Sequence, residues 1–344
     1  MNAPAHEPDQ PAIDIAGLRK SFGDKVVLDS IDLTVSKGTV FALLGPNGSG
    51  KTTMIQILAT LLRPDGGEAS VGGHDILRDS DGVRHTIGMT GQLVAIDNLL
   101  TGRENLRLMS DLCHLERRTG QQRIGDLLEQ FDLVDAADKP PSAYSGGMRR
   151  RLDLAMTLVG EPRIIFLDEP TTGLDPRSRR TMWQIIRDLV HDGVTIFLTT
   201  QYLDEADHLA DRIAVLDRGV LVAQGTPAEL KRLVPGGHIL LRVAGMPELA
   251  RAASAVSEGV TDHDALTLQV PSDGGITSLR DLLRRLDDAA VDIEDLSIHT
   301  PDLDDVFFAL TSRIDTTPHT TTPHTTTPHT TTPHTTTSPK AVPQ

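Results

Sequence analysis

The sequence predicts an α/β fold: a large core of buried strands and helices, a smaller C-terminal α/β module and a polar tail. Three observations carry this. Runs that read as buried strands alternate with segments of helical period from about residue 39 to residue 223, the order that builds a sheet covered by helices. Two of those runs, 163–167 and 194–198, are apolar at nearly every position, as central parallel strands are. From about His238 the alternation begins again on a smaller scale.

Residues 12–35 alternate as strands on Ile13, Ile15 and Leu18, then on Val27, Leu28, Ile31, Leu33 and Val35, around the turn Ser21-Phe22-Gly23-Asp24. Phe22 is an exposed aromatic there, equally suited to stack on a nucleotide base or to serve as a hairpin hydrophobe. The next strand, 39–44, runs into Gly45-Pro46-Asn47-Gly48-Ser49-Gly50-Lys51-Thr52-Thr53. Met54, Ile55, Ile57, Leu58 and Leu61 then give a helical period. Strand, glycine-rich turn ending in Gly-Lys-Thr, and helix form the full context of a phosphate-binding loop. Gly45, Gly48 and Gly50 let backbone N–H groups turn inward without a Cβ in the way. The helix start adds unpaired N–H groups and partial positive charge. Lys51 supplies a mobile cation for the β- and γ-phosphates, and the Thr52 hydroxyl suits Mg²⁺. The stretch predicts a nucleoside triphosphate site.

After a break at 63–67, short strands are expected at 68–71 and near 86–89, the second leading to Thr90-Gly91-Gln92. A mostly helical block follows, with amphipathic pieces at 103–113 and 120–131, and ends in a loop at 138–144. Ser145 is a good N-cap for a helix whose apolar face is Leu152, Ala155, Met156 and Val159. Arg149, Arg150 and Arg151, so near that N-terminus, oppose the macrodipole preference, and an anion held there would relieve the conflict. The strand at 163–167 ends in Asp168-Glu169-Pro170, adjacent carboxylates where an α/β sheet binds ligands. Asp168 suits Mg²⁺, and Glu169 suits polarisation of an attacking water. A turn at 171–176, a helix facing inward on Met182, Ile185, Ile186 and Leu189, and the strand at 194–198 come next. The chain then passes Thr199-Thr200-Gln201 into a helix from about 202, and strands near 213–217 and 220–223 close the sheet.

The C-terminal module reads as strand (239–243), helix (247–256), strand (266–270), helix (278–286) and strand (292–298), with no catalytic constellation. A final helix is expected, capped by Thr300, with Pro301 first and Leu303, Val306, Phe307 and Leu310 on one face. Residues 316–337 repeat Thr-Thr-Thr-Pro-His, a composition that builds no core and predicts a disordered spacer. His319, His324, His329 and His334 recur there in the manner of metal ligands; tight zinc binding by the isolated tail is what that role would require.

Composition narrows the function. The formal net charge of −15 argues against a nucleic-acid coat or an anionic-membrane binder. No apolar run approaches the roughly 18 residues that cross a bilayer. The first ten residues lack a signal-peptide pattern, and the single cysteine, Cys113, fits a reducing compartment. A soluble, cytoplasmic protein is the expectation.

Together these motifs resemble the ATP-binding subunit of an ABC transporter over roughly residues 12–230. Residues 45–52 match its Walker A loop, and 164–168 its Walker B strand with Glu169 at the catalytic-base position. Ser145-Gly146-Gly147 matches the signature, with Met148 in place of the usual glutamine. Gln92 stands at the Q-loop glutamine, a nucleotide and Mg²⁺ contact in the family, and Asp175 closes the D-loop Gly173-Leu174-Asp175. Phe22 falls at the base-stacking position, and Gln201 stands where most of these ATPases place a switch histidine. Residues 144–153, 199–207 and Leu303-Asp304-Asp305-Val306-Phe307 look like the daunorubicin/doxorubicin-resistance ATPases of actinobacteria, a likeness reaching about Arg313.

The resemblance implies an ATP-binding domain at 12–232 with a helical subdomain at about 93–160, an interaction or regulatory module at 237–313 and a tail at 314–344. It implies ATP and Mg²⁺, a head-to-tail dimer closing the signature of one copy over the Walker A of the other, and a separately encoded membrane permease docked near Gln92. The phosphate supplied in trans would be the anion the arginines await. Slow but real hydrolysis is expected from Gln201, at the cytoplasmic face of the membrane, in export of drugs or lipids. A non-transport ATPase of translation or DNA repair usually fuses two cores or inserts a coiled coil, and this chain does neither. An importer fits Gln201 and the C-terminal motif less well.

Overall fold

The computed structural model describes residues 10–91, 95–233, 237–256, 258–272, 275–299 and 301–314. Gln92, Thr300 and the Thr-Pro-His tail with His319, His324, His329 and His334 lie outside the described residues.

β1 (Ile13–Phe22) and β2 (Lys25–Val35) form a long hairpin in which Ile13 faces Val35 and Phe22 faces Lys25. β3 (Val40–Leu44), buried at every position, leads through the glycine loop into α1 (Lys51–Leu58). β4 (Gly66–Val71) pairs with β1 and β5 (His74–Asp75) with β4, which gives an antiparallel sheet of order β2-β1-β4-β5. α2 (Ser80–Thr86) has no counterpart in the periodicity. It buries only Val83 and starts from an Asp79 carboxylate that accepts from Gly82 N, so no apolar stripe announces it.

β6 (Ile87–Thr90) precedes the helical block of α3 (Gly102–Leu112), α4 (Arg117–Gln130) and α5 (Gly146–Thr157). There follow β7 (Ile164–Asp168), α6 (Pro176–His191), β8 (Thr195–Thr200), α7 (Leu203–Leu209), β9 (Arg212–Asp217), β10 (Val220–Gly225) and α8 (Pro227–Lys231). The central sheet has the order β10-β9-β3-β8-β7-β6, parallel from β9 to β6 and antiparallel only at β10.

Both faces of this sheet are covered. Phe41, Leu43, Phe166 and Phe197 point into one core with α1 and the hairpin sheet. Ala42, Leu44, Ile165, Leu167, Ile196 and Leu198 point into the other with the helices. Hence the strand sequences are apolar throughout instead of alternating. Phe197 lies 5.5 Å from Phe41 and 5.7 Å from Phe166 between ring centroids, and burying each ring contributes roughly 1.5–3 kcal/mol. The consequence for function is the strand order. It sets the C-terminal ends of β3, β8, β7 and β6 side by side, although their sequences are far apart.

β11 (His238–Val243), α9 (Met246–Ala255), β12 (Val260–Asp262), β13 (Thr267–Pro271), α10 (Ile276–Asp288) and β14 (Ile293–His299) form a second unit with the antiparallel order β12-β13-β11-β14. This is the split βαβ arrangement, with its own core of Ile239, Leu241, Leu249, Leu268 and Leu286. β12 was not expected: it has three residues and buries none of them. α11 (Leu303–Ile314) returns to pack on α7 and α8, where Leu303 and Val306 join Leu209 and Leu230. The Asp302 carboxylate accepts from Asp305 N at 2.9 Å, so Asp302 holds the helix start that the sequence assigned to Thr300.

Candidate active site

The glycine loop joins β3 to α1 as the sequence predicts. Gly50 precedes α1 with φ of 113°, a conformation that L side chains rarely adopt. A Cβ on Gly50 would meet Val27 O at 2.8 Å, and one on Gly45 would meet Leu216 O at 2.3 Å. Pro46, Asn47 and Gly48 line the exposed rim, while Ser49 is buried with its hydroxyl oxygen unpartnered. No side chain caps α1, so its first-turn N–H groups remain for a ligand. Lys51 Nζ donates to Gly45 O at 2.8 Å and Pro46 O at 3.1 Å, which holds its charge within the loop. Burial lowers the Lys51 pKa, and Glu169 and Asp168 oppose that shift. Thr53 is half-buried in the first turn of α1.

The carboxylates arrive from β7. Thr52 Oγ1 donates to Asp168 Oδ2 at 3.0 Å, and Thr199 Oγ1, from the intervening strand β8, donates to Asp168 Oδ1. Two hard oxygen donors on facing elements suit Mg²⁺. Glu169 Oε1 lies 3.9 Å from Lys51 Nζ, and Oε2 accepts from Thr172 Oγ1 at 3.2 Å. The Glu169 backbone has φ of 50°, uncommon for a non-glycine residue and of the kind that clusters at functional sites. Its N–H donates to Thr199 O at 3.1 Å. Gln201 follows β8 directly, and Thr200 O accepts from Gly45 N at 3.3 Å. The strand order therefore brings Gln201 between the glycine loop and the acidic pair.

Ser145 caps α5, its hydroxyl accepting from Met148 N at 3.2 Å. Ser145 and Gly146 are exposed, and nothing lies within 4 Å of a Cβ built on Gly146. Gly147 is buried, where a Cβ would meet Ser178 Oγ at 2.5 Å. The three arginines already hold partners within the chain. Arg149 donates to Pro141 O and Asn98 Oδ1, and Arg151 donates to Phe131 O and to Asp132. Arg150 donates to the carbonyls of Gly91, Asp168, Glu169 and Pro170. Within the chain, carbonyl oxygens take most of these donors, and the carboxylates of Asp153 and Asp132 pair with Arg150 and Arg151.

Two other predicted residues behave differently from the loop. Asp175 is an N-cap: its carboxylate accepts from Arg177 N, Ser178 N and Ser178 Oγ, bonds that lower its pKa. It fixes the 171–175 turn against α6. Phe22, 51% exposed, ends β1 with Lys20 Nζ 5.4 Å from its ring centroid. The same hairpin brings Val27 against Gly50.

Sequence reasoning passed over Glu205, which is 0% exposed. Trp183 Nε1 donates to it at 3.3 Å, and burial raises its pKa against the opposing effects of Thr200, Thr171 and Trp183. Its place on α7 beside Ala206 and Leu209, both buried, was the available signal.

A phosphate loop after β3, paired acids at the end of β7 two strands away and a helix capped at Ser145-Gly146-Gly147 define an ATP-binding cassette. The family model described as "ABC transporter" matches residues 28–172. A solved ATP-binding cassette in a dimeric post-hydrolysis state with ADP and Pi superposes with a TM-score of 0.57 at 26% identity, over 62% of this chain and 98% of that one. The daunorubicin resistance ATP-binding protein DrrA3 of Streptomyces coeruleorubidus is 48% identical over 302 residues, 87% of this chain and 96% of the relative. The Nod factor export ATP-binding protein I of Sinorhizobium fredii is 36% identical over 314 residues, 88% of this chain and 86% of the relative. The chain belongs to the ATP-binding subunits of ABC transporters, within them to the daunorubicin/doxorubicin-resistance ATP-binding proteins.

Proposed function

We propose that this chain hydrolyses ATP to energise a membrane exporter of hydrophobic drugs or lipids, docked on a separately encoded permease at the cytoplasmic face of the membrane. The observation that carries the reading is the convergence of Lys51, Thr52, Asp168 and Glu169 in one cleft, with Lys51 Nζ 3.9 Å from Glu169 and Thr52 bonded to Asp168. The glycine loop and α1 bind the phosphates, Lys51 reaches the β- and γ-phosphates, and Phe22 stacks on the base. Thr52 and Asp168, with Gln92, would hold Mg²⁺, which would supply neutralisation of the phosphate oxygens. Glu169 orients and deprotonates the attacking water, and the Gln201 amide hydrogen-bonds the γ-phosphate. Ser145, Gly146 and Gly147 close over the nucleotide of a second copy, with Asp175 fixing the turn beside them; the open space at Gly146 supports that reading.

No helix among the described residues is long and apolar enough to cross a membrane, so translocation requires a partner. A groove of about 440 Å³ between β6 and the helical block, lined by Met89, Met109, Leu112, Cys113 and Met156, suits a helix end of that permease. The relatives' names span daunorubicin resistance and Nod factor export on one ATPase architecture, which supports placing cargo choice in the permease. Purification of the ATP-loaded Glu169→Gln protein from detergent-solubilised cells tests the assignment. A polytopic membrane protein retained with ATP and lost without it is expected. Ribosomes or DNA in its place would move the chain to a non-transport ATPase.

A further inference from the structure

Among the described residues, one buried cation outside the phosphate loop touches the catalytic strand, and it does so from the signature helix. Arg150 sits one turn into α5 with its side chain 11% exposed. Its Nε donates to Pro170 O at 2.9 Å. Nη1 donates to Gly91 O at 3.0 Å and Asp153 Oδ2 at 3.4 Å, and Nη2 to Asp168 O at 3.0 Å and Glu169 O at 3.3 Å. A guanidinium carries five N–H donors in a fixed fork, and here all five are used. The acceptors are three consecutive peptides at the end of β7, the peptide that ends β6, and one carboxylate.

Asp153 extends the arrangement. It is 4% exposed, and its other oxygen accepts from Ala95 N at 3.3 Å. The Arg150–Asp153 pair thus holds both described residues that flank 92–94, the stretch carrying Gln92. Burial lowers the Arg150 pKa, with Asp153, Asp168 and Glu205 opposing it. A buried cation is costly unless paired, and removing a partner from such a cluster leaves the rest unsatisfied.

We propose that Arg150 is a positioning residue for catalysis: it fixes the Glu169 peptide in its left-handed conformation and ties the signature helix to the acidic strand end, to Gly91 and, through Asp153, to Ala95. Glu169 is held at its N–H by Thr199 and at its carbonyl by Arg150, so its carboxylate direction depends on α5. Movement of α5 is thereby transmitted to the base without passing through the nucleotide. The inference rests on Glu169 acting as the base, which Glu169→Gln tests separately.

The test compares Arg150→Lys and Asp153→Asn with the native protein, scoring turnover per nucleotide bound at saturating Mg²⁺ so that misfolded molecules drop out. Lysine keeps the charge and offers only three donors. Because small misplacements of catalytic groups cost up to about 100-fold, Arg150→Lys is expected to lose ~10-fold or more in kcat with the Kd for ATP within ~3-fold. Asp153→Asn, which keeps the carbonyl contacts, should lose less and also keep its affinity. Retention of kcat within ~2-fold by both variants would overturn the proposal. So would loss of ATP binding in step with turnover, which would assign Arg150 to the integrity of the cleft. If Glu169→Gln abolishes turnover while Arg150→Lys does not, only the positioning role fails.

Discussion

The Glu169→Gln protein is expected to bind ATP with near-native affinity and to turn it over about 100-fold or more slowly, the usual scale for removing a general base. The two side chains have the same shape, so the packing of this 11%-exposed group and its contact with Thr172 are preserved. What is lost is the capacity to accept a proton and the negative charge 3.9 Å from Lys51. Loss of that charge also removes repulsion towards the phosphates, and the ATP-bound dimer should therefore persist. Steady-state phosphate release together with equilibrium ATP binding checks both halves. Normal hydrolysis would remove Glu169 from its role.

Gln201→His should raise turnover by roughly 3- to 10-fold, the range one improved hydrogen bond to a charged group allows. β8 carries this position between the glycine loop on β3 and the acids on β7. A glutamine amide donates and accepts hydrogen bonds there but exchanges no proton with Glu169 or the water. Imidazole does both, and the variant's rate should acquire a pH dependence near the histidine range of about 6.5 that the native protein lacks. An unchanged or lower rate across that range would show that the native glutamine is matched to this site.

Much of this was legible in the sequence because it depends on local pattern. The glycine loop between strand and helix, the Asp168-Glu169 pair and the Ser145 cap are each fixed within about ten residues, and the structure has each where its spacing puts it. Long-range facts were not legible. Nothing local says that β8 lies between β3 and β7, and Thr199 therefore gave no sign that it would bond Asp168. Arg149, Arg150 and Arg151 read as a charged helix start because their acceptors are mostly backbone carbonyls of distant segments, which have no sequence signature. α2 and β12 have no stripe or alternation to announce them, because α2 buries only Val83 and β12 buries no side chain. Glu205 was passed over because its partner Trp183 lies on a distant helix, which no local pattern shows.

Completion of each catalytic site by two copies is what a mixing experiment decides. Lys51→Met removes the phosphate-binding cation and leaves the signature intact. Gly146→Asp adds a carboxylate where the chain itself leaves open space, at a helix start that favours an acid, and opposes only a phosphate brought by another copy. Each variant alone should be nearly inactive. An equal mixture should recover about a quarter of native ATPase, since half the dimers then hold one intact site. No recovery on mixing, or full activity of Gly146→Asp alone, would contradict the shared site.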